Sequence, residues 1–284
     1  MSAILVSGGS GQLATCLKSE WKTDDFYALH FATSSEINFY DYQTVRNYLR
    51  EHEVDYLIHT SAYTAVDQAE DEPEKAHKVN VEQTEAVAKA CKDEGVFLVH
   101  ISTDFVYGGA GESPKKIEDA EPKSVYGKTK LESEEKVRES GVDYLIIRTS
   151  WLYSREGKNF YNTMNKLLGE GKALNVVDDQ HGTPTSAYSL SRFIRDFVKS
   201  ENHFGIKPKT IMNFSNEGST TWYGFASKIA EINELSGSVS PCTSEEYPQK
   251  AKRPSYSVMD LSTLRSTGWE NERWEEALRE VAGM

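Results

Sequence analysis

The feature that most constrains this chain is an alternation of short apolar runs with helix-like segments across its first 150 residues. Residues 4–6, 26–29, 56–58, 96–101 and 144–147 read as strands. Residues 12–21, 44–51, 74–94 and 128–140 carry helical patterns, and Pro73 suits the first turn of the third. The run 96–101 has almost no polar residue, as a strand covered on both faces requires. Strand–helix alternation of this kind predicts an α/β fold: a doubly wound, Rossmann-type parallel sheet with helices on both sides.

After Arg148 the regularity weakens into aromatic and glycine-rich loops at 151–160 and 178–184. The expected division is a dinucleotide-binding domain over 1–150, with a return segment near 184–200. A smaller C-terminal substrate-binding region is expected over 151–183 and 201–284, draped over the first with a cleft between them. No low-complexity linker and no internal repeat is present.

Composition excludes several function classes. With 38% hydrophobic and 27% charged residues among 284, the chain reads as a soluble globular enzyme. No apolar run approaches the roughly 20 residues of a membrane span. The first residues are too short and uncharged for a signal peptide. A net charge of −12 without a basic stripe argues against nucleic acid as a partner. Cys16, Cys91 and Cys242 are odd in number and widely spaced. They form neither a metal-ligand pattern nor a disulfide framework, which fits a reducing cytoplasm.

The first strand runs into Gly8-Gly9-Ser10-Gly11-Gln12-Leu13-Ala14. Gly8 and Gly11 permit a tight turn and close approach of a pyrophosphate to a helix N-terminus. Gly8, Gly11, Gln12 and Leu13 are therefore the expected cofactor contacts. A NAD-preferring site usually places a carboxylate about 20 residues further on. Here Leu29-His30-Phe31-Ala32-Thr33-Ser34 holds neither carboxylate nor arginine, a mild lean toward NADPH with NADH also accepted.

Of the 15 tyrosines, Tyr126 alone has a lysine, Lys130, four places on. That spacing puts both side chains on one face of a helix. A neighbouring ammonium should lower the phenol's pKa and fit it for proton delivery to a carbonyl. Thr103, at the expected end of a strand, could orient that carbonyl. Asp104 could equally cap a turn or bond a substrate hydroxyl.

At this point the residues resemble the dTDP-4-dehydrorhamnose reductase family, extended short-chain dehydrogenase/reductases, almost end to end. The resemblance is carried by Ser61-Ala62-Tyr63-Thr64-Ala65-Val66-Asp67, His100-Ile101-Ser102-Thr103-Asp104-Phe105-Val106-Tyr107 and Val125-Tyr126-Gly127-Lys128-Thr129-Lys130-Leu131. It continues through Arg148-Thr149-Ser150-Trp151, Asp179-Gln180-His181-Gly182-Thr183-Pro184-Thr185, Thr221-Trp222-Tyr223 and Ala251-Lys252-Arg253-Pro254. It implies reduction of the 4-keto group of dTDP-4-dehydro-L-rhamnose, with Thr103, Tyr126 and Lys130 as the catalytic set and Asp104 on the substrate side. It implies Ala62, Tyr63 and Ser102 along the cofactor. Trp151 would pack against the hexose, against the alternative of a core tryptophan. Arg253 would pair with the diphosphate or stand as a surface charge. Ala14 and Tyr107-Gly108-Gly109 depart from the family pattern. Some members hold magnesium between subunits with glutamates at places that here carry Cys16 and Tyr188, so no metal and a monomer are expected, with a metal-free dimer as the alternative. A sister nucleotide-sugar reductase or epimerase, or a regulatory subunit that binds NADP(H) without turnover, are the competing readings.

Overall fold

Six parallel strands form the central sheet: β1 (Ser2–Ser7), β2 (Tyr27–Ala32), β3 (Val54–His59), β4 (Phe97–Thr103), β5 (Tyr144–Thr149) and β6 (Thr210–Phe214). Their order is β2-β1-β3-β4-β5-β6. The structure, a computed structural model, describes residues 2–21, 27–109 and 111–284. The part of the expected second strand that falls on Phe26 lies outside the described residues.

Successive strand residues face opposite sides, and the two cores follow from that. Ile4, Val6, Ile58, Val99, Leu145 and Ile147 pack on one side with Leu13 and Leu17 of α1 (Gln12–Glu20). Phe193, Ile194 and Phe197 join them from a helix at Ala187–Lys199. Leu5, Leu57, Leu98 and Ile146 face the other way, onto Val45 and Leu49 of α2 (Tyr42–Glu51). Val87 and Cys91 of α3 (Gln83–Glu94) complete that layer. The chain is therefore doubly wound, as the alternation predicts.

The helix expected over 74–94 begins at Pro73 and is not uniform. Between Pro73–His77 and α3 lies a π turn, Lys78–Glu82. Helix α4 (Val125–Ser140) starts where the Ser124 hydroxyl accepts from the Gly127 N–H at 3.1 Å. It ends at Gly141, whose φ of +73° suits glycine.

Beyond Arg148 the chain leaves the sheet, returns to it, and leaves again. The helix Ala187–Lys199 packs against α1. Residues 210–214, expected in the substrate region, instead form edge strand β6 beside β5. The reason is pairing: Met212 and Phe214 are buried in the main core, and buried Asn213 is satisfied by the Tyr107 hydroxyl. The remaining C-terminal strands form two-stranded pairs, such as Ala173–Val177 with Ser238–Cys242. No helix among the described residues is long and apolar enough to cross a membrane.

Candidate active site

The sheet changes its direction of growth between β1 and β3, since β2 lies on one side of β1 and β3 on the other. Such a switch point opens a crevice at the carboxyl ends of the strands. The glycine turn sits there. Gly8 has φ +67°, and a Cβ on it would meet the Ser61 backbone at 3.1 Å. A Cβ on Gly9 would strike the Phe31 carbonyl carbon at 2.7 Å. Gly11 is the N-cap of α1, in extended conformation, with no side-chain cap on the helix start. Free first-turn N–H groups and a cradle that tolerates no Cβ fit the diphosphate of a dinucleotide.

The side chains of Gln12 and Leu13 are engaged within the protein, which leaves their first-turn N–H groups to the crevice. Leu13 is 5% exposed and packs in the core. The Gln12 side-chain oxygen accepts from Asn159 at 3.0 Å, which ties α1 to the loop after residue 151. At the end of β2, the carboxylate of Glu36 turns back onto the Thr33 N–H at 2.7 Å and its hydroxyl at 2.8 Å.

Beside the turn, β4 delivers Thr103 and Asp104, and α4 delivers Tyr126 and Lys130. Thr103 caps the short turn Asp104–Val106 by accepting from the Phe105 N–H at 3.2 Å. Its hydroxyl donates to the Asp104 carboxylate at 3.2 Å. Asp104 is 2% exposed and also accepts from the Ser257 hydroxyl at 2.7 Å. Burial lifts its pKa to about 6. So Asp104 does not itself cap the turn; it joins the sheet to the C-terminal third.

Tyr126 is 8% exposed, with Phe105 edge-on at 5.4 Å. Gly127 lets α4 approach, since a Cβ there would collide with the Phe105 carbonyl. Burial pushes the Tyr126 phenol up to about 12, with a Thr103 hydrogen bond acting in the opposite direction. The expected lowering by Lys130 is therefore not realised in this pose. The Lys130 amine is turned into the sheet, donating to the Ile101 carbonyl at 2.8 Å, and burial brings its own pKa down to about 8.

Just beyond β5, Trp151 adopts φ +46°, a costly conformation for a bulky residue. Its ring stacks on Trp222 with centroids 3.6 Å apart and planes 12° from parallel. Gly182 lies against the same indole, where a Cβ would sit 2.6 Å from ring carbons. Arg253 makes a two-pronged pair with Asp67 at 2.9 and 2.7 Å, which holds the Asp67 carboxyl down at about 2.

Several buried contacts escaped the sequence reading. Ser102, expected along the cofactor, donates its hydroxyl to Glu134 at 2.5 Å. Glu134 is itself clamped by Arg148 at 2.9 and 2.7 Å in a fully buried pair. Asn80, in the π turn, accepts from the Tyr63 N–H at 2.8 Å and donates to Thr129 at 3.0 Å. One amide thus couples the 61–67 segment to the tyrosine helix. A lone Asn between Val79 and Val81 was the available signal. Cys16 is fully buried beside Tyr188, whose hydroxyl donates to Glu156 at 2.6 Å. Among the described residues, no group of three His, Cys, Asp or Glu side chains is placed to hold a metal ion.

Three comparisons bear on this geometry. The sequence model described as the RmlD substrate binding domain matches residues 1–283. A spore coat polysaccharide biosynthesis protein, SpsK, of Bacillus subtilis is 36% identical, covering 99% of this chain and 96% of its own. A dTDP-4-dehydrorhamnose reductase of Sinorhizobium fredii is 35% identical, covering 98% and 96%. The structure of the dTDP-4-dehydrorhamnose reductase of Bacillus anthracis in complex with NADP superposes with a TM-score of 0.92. It is 32% identical and covers 99% of both chains. With the glycine turn at the switch point and the tyrosine and lysine on α4, an end-to-end match of this kind means that the chain belongs to the RmlD substrate binding domain family.

Proposed function

We propose that this protein reduces the 4-keto group of dTDP-4-dehydro-L-rhamnose to give dTDP-L-rhamnose, using NADPH and accepting NADH. The observation that carries the reading is the meeting of Tyr126 and Thr103 at the carboxyl end of the sheet, beside a glycine turn that fits a dinucleotide diphosphate. The reductase names of the Sinorhizobium and Bacillus anthracis relatives support the substrate, and the NADP in the latter supports the cofactor.

Gly8, Gly11 and the N-terminus of α1 would hold the diphosphate, with Ala62 and Tyr63 along the crevice. Bound NADPH supplies the hydride. The Tyr126 phenol, raised by burial, keeps its proton until an oxygen gathering negative charge takes it. Thr103 orients that oxygen through its hydroxyl. Lys130 swings from the Ile101 carbonyl toward the phenol and favours the phenolate left behind. Asp104 and Ser257 close the substrate side, and Trp151 offers the hexose an apolar wall. Ser102 acts through Glu134 rather than on the cofactor. Arg253 locks residues 250–253 onto the 61–67 segment, so we read it as a clamp on the cleft rather than a diphosphate ligand.

Residues 151–183 and the chain beyond β6 form the substrate side in this reading. A buried thiol and a phenol at the places where the family resemblance implies magnesium ligands in some members support a metal-free monomer, and free cysteines support a reducing cytoplasm. Activity should survive EDTA, and light scattering should give one 32.0 kDa chain. Loss with chelator rescued by magnesium would contradict the first, and a dimer the second. The function is tested by following nicotinamide absorbance with the dTDP-4-keto sugar. NADPH should be consumed at least as well as NADH. Binding without turnover would leave a regulatory NADP(H) binder.

A further inference from the structure

Trp222 opens the helix Trp222–Ile232, directly after its cap. The Thr221 hydroxyl accepts from the Gly224 N–H at 3.0 Å and donates to the Asp178 carboxylate. Thr221 belongs to a short antiparallel pair, in which Thr220 faces Gly182 and Thr221 faces His181. One ribbon therefore carries both residues that lie on the Trp151 indole, Gly182 from within it and Trp222 from its end.

The two residues take different faces of that indole. Trp222 lies flat on it, and centroids 3.6 Å apart at 12° leave little lateral offset between the rings. A Cβ on Gly182 would sit 2.6 Å from Cε2, 2.6 Å from Cζ2 and 2.9 Å from Nε1 of Trp151. Approach within the ring plane would meet Nε1 and Cζ2 well before Cε2, so Gly182 stands over a face and not beside the edge. These are the nearest atoms to that Cβ, and none belongs to Trp222, which a ring stacked on the same face could not avoid. Trp222 and Gly182 thus cover opposite faces of one indole.

The arrangement is imposed by its surroundings. Two free indoles prefer an offset or edge-on meeting to a full overlap. Here Phe160 backs Trp222 with centroids 4.7 Å apart, and Phe160 in turn stacks at 5.5 Å on fully buried Phe225. On the other side, the Ser150 hydroxyl donates to the Thr183 carbonyl at 2.7 Å, and the Thr185 N–H donates to the Trp151 carbonyl at 3.3 Å. These bonds fasten the backbone of Trp151 to the segment that carries Gly182.

We infer that Trp222 is a positioning residue for substrate choice: with Gly182 it clamps the Trp151 ring, so that a bound hexose meets the edge of the indole and not its face. The inference rests on the reading of Trp151 as the wall for the hexose. An open indole face would accept the C–H side of many hexoses. An edge held in place admits only a sugar whose substituents clear it, which is discrimination by exclusion.

The test is two-dimensional NMR of the full chain, in which five tryptophans give five indole N–H signals. The Trp151 and Trp222 signals are identified by their loss in Trp151→Phe and Trp222→Phe. Nuclear Overhauser contacts should link the two indoles in the free chain and persist when dTDP-L-rhamnose is added to saturation. Contacts absent from the free chain, or lost on binding, would overturn the inference. Contacts present while the dTDP sugar fails to bind would sink the reductase reading and leave the clamp. In turnover, Trp222→Leu should raise KM for the sugar about 10-fold, with kcat and the KM for NADPH in place. Trp222→Phe, still flat on Trp151, should recover most of that loss. A merely structural role would instead lower kcat, and a phenylalanine variant as weak as the leucine one also counts against the clamp. Should Trp222→Leu fail to fold, the Overhauser contacts of the unaltered chain, free and bound, decide alone.

Discussion

On the sheet side of the cleft, Thr103, Tyr126 and Lys130 ride on β4 and α4, where every position is set by repeating backbone bonds. On the facing side, the side chains of Trp151, Ser257 and Arg253 make contacts between distant segments: a stacked indole, a hydroxyl bond to Asp104 and an ion pair with Asp67. The sheet side is stiff because its side chains interlock in two cores and its polar groups pair within the interior. Glu134 and Arg148 are the extreme case, a buried pair whose remaining atoms bond Ser102, Tyr107 and the Ile117 carbonyl. The facing side is assembled from short strand pairs and turns. On the proposed function, this division puts the chemistry on the interlocked half and substrate choice on the half built from short strand pairs.

The comparison can be broken in order of expected effect. Tyr126→Phe removes only a hydroxyl from the rigid half, so kcat should fall by roughly 10²–10⁴-fold while the NADPH dissociation constant barely changes. Near-normal turnover would remove Tyr126 from the proton's path. Arg148→Met leaves Glu134 charged and unpaired in the interior, at a cost of about 3–5 kcal/mol. Urea unfolding should show that loss, and an unchanged midpoint would mean that the pair does not stiffen this half.

On the half built from short strand pairs the effects should fall on substrate binding instead. Gly182→Ala presses a methyl against the Trp151 ring, which should raise KM for the sugar by about 10-fold, comparable to losing an aromatic contact of roughly 1.5 kcal/mol. The KM for NADPH should stay put, and a rise in both would erase the distinction between the halves. Asp67→Asn loosens a half-exposed pair and should cost about 0.2–1 kcal/mol, less at high salt. Limited proteolysis near residues 244–253 should quicken in that variant; an unchanged rate would deny Arg253 its clamping part.

What could be read beforehand follows the same division. The common helix of Tyr126 and Lys130 was legible because helical spacing is local, and the turn at Gly8 and Gly11 because a strand-to-helix turn is local too. β6 did not, because a five-residue strand with a buried Asn213 becomes intelligible only beside β5 and Tyr107. The stacking of Trp222 on Trp151 and the Ser257 bond to Asp104 join residues far apart in the chain, where no periodicity links them. The π turn at Lys78–Glu82 was hidden inside a helical pattern, and its Asn80 side chain bonds two segments far from it in the chain. Lys130 shows the converse: its place on α4 was legible, but its direction is set by the Ile101 carbonyl.

The central claim is that the rigid half delivers a proton to the oxygen of a 4-keto sugar whose carbon takes the hydride. Incubation of the protein with dTDP-4-dehydro-L-rhamnose and NADPH deuterated at the transferable position tests it most directly, with the product read by proton NMR. The account predicts deuterium at C4 of the hexose and the coupling constants of dTDP-L-rhamnose. Deuterium elsewhere, the opposite C4 configuration, or an unreduced sugar would contradict it.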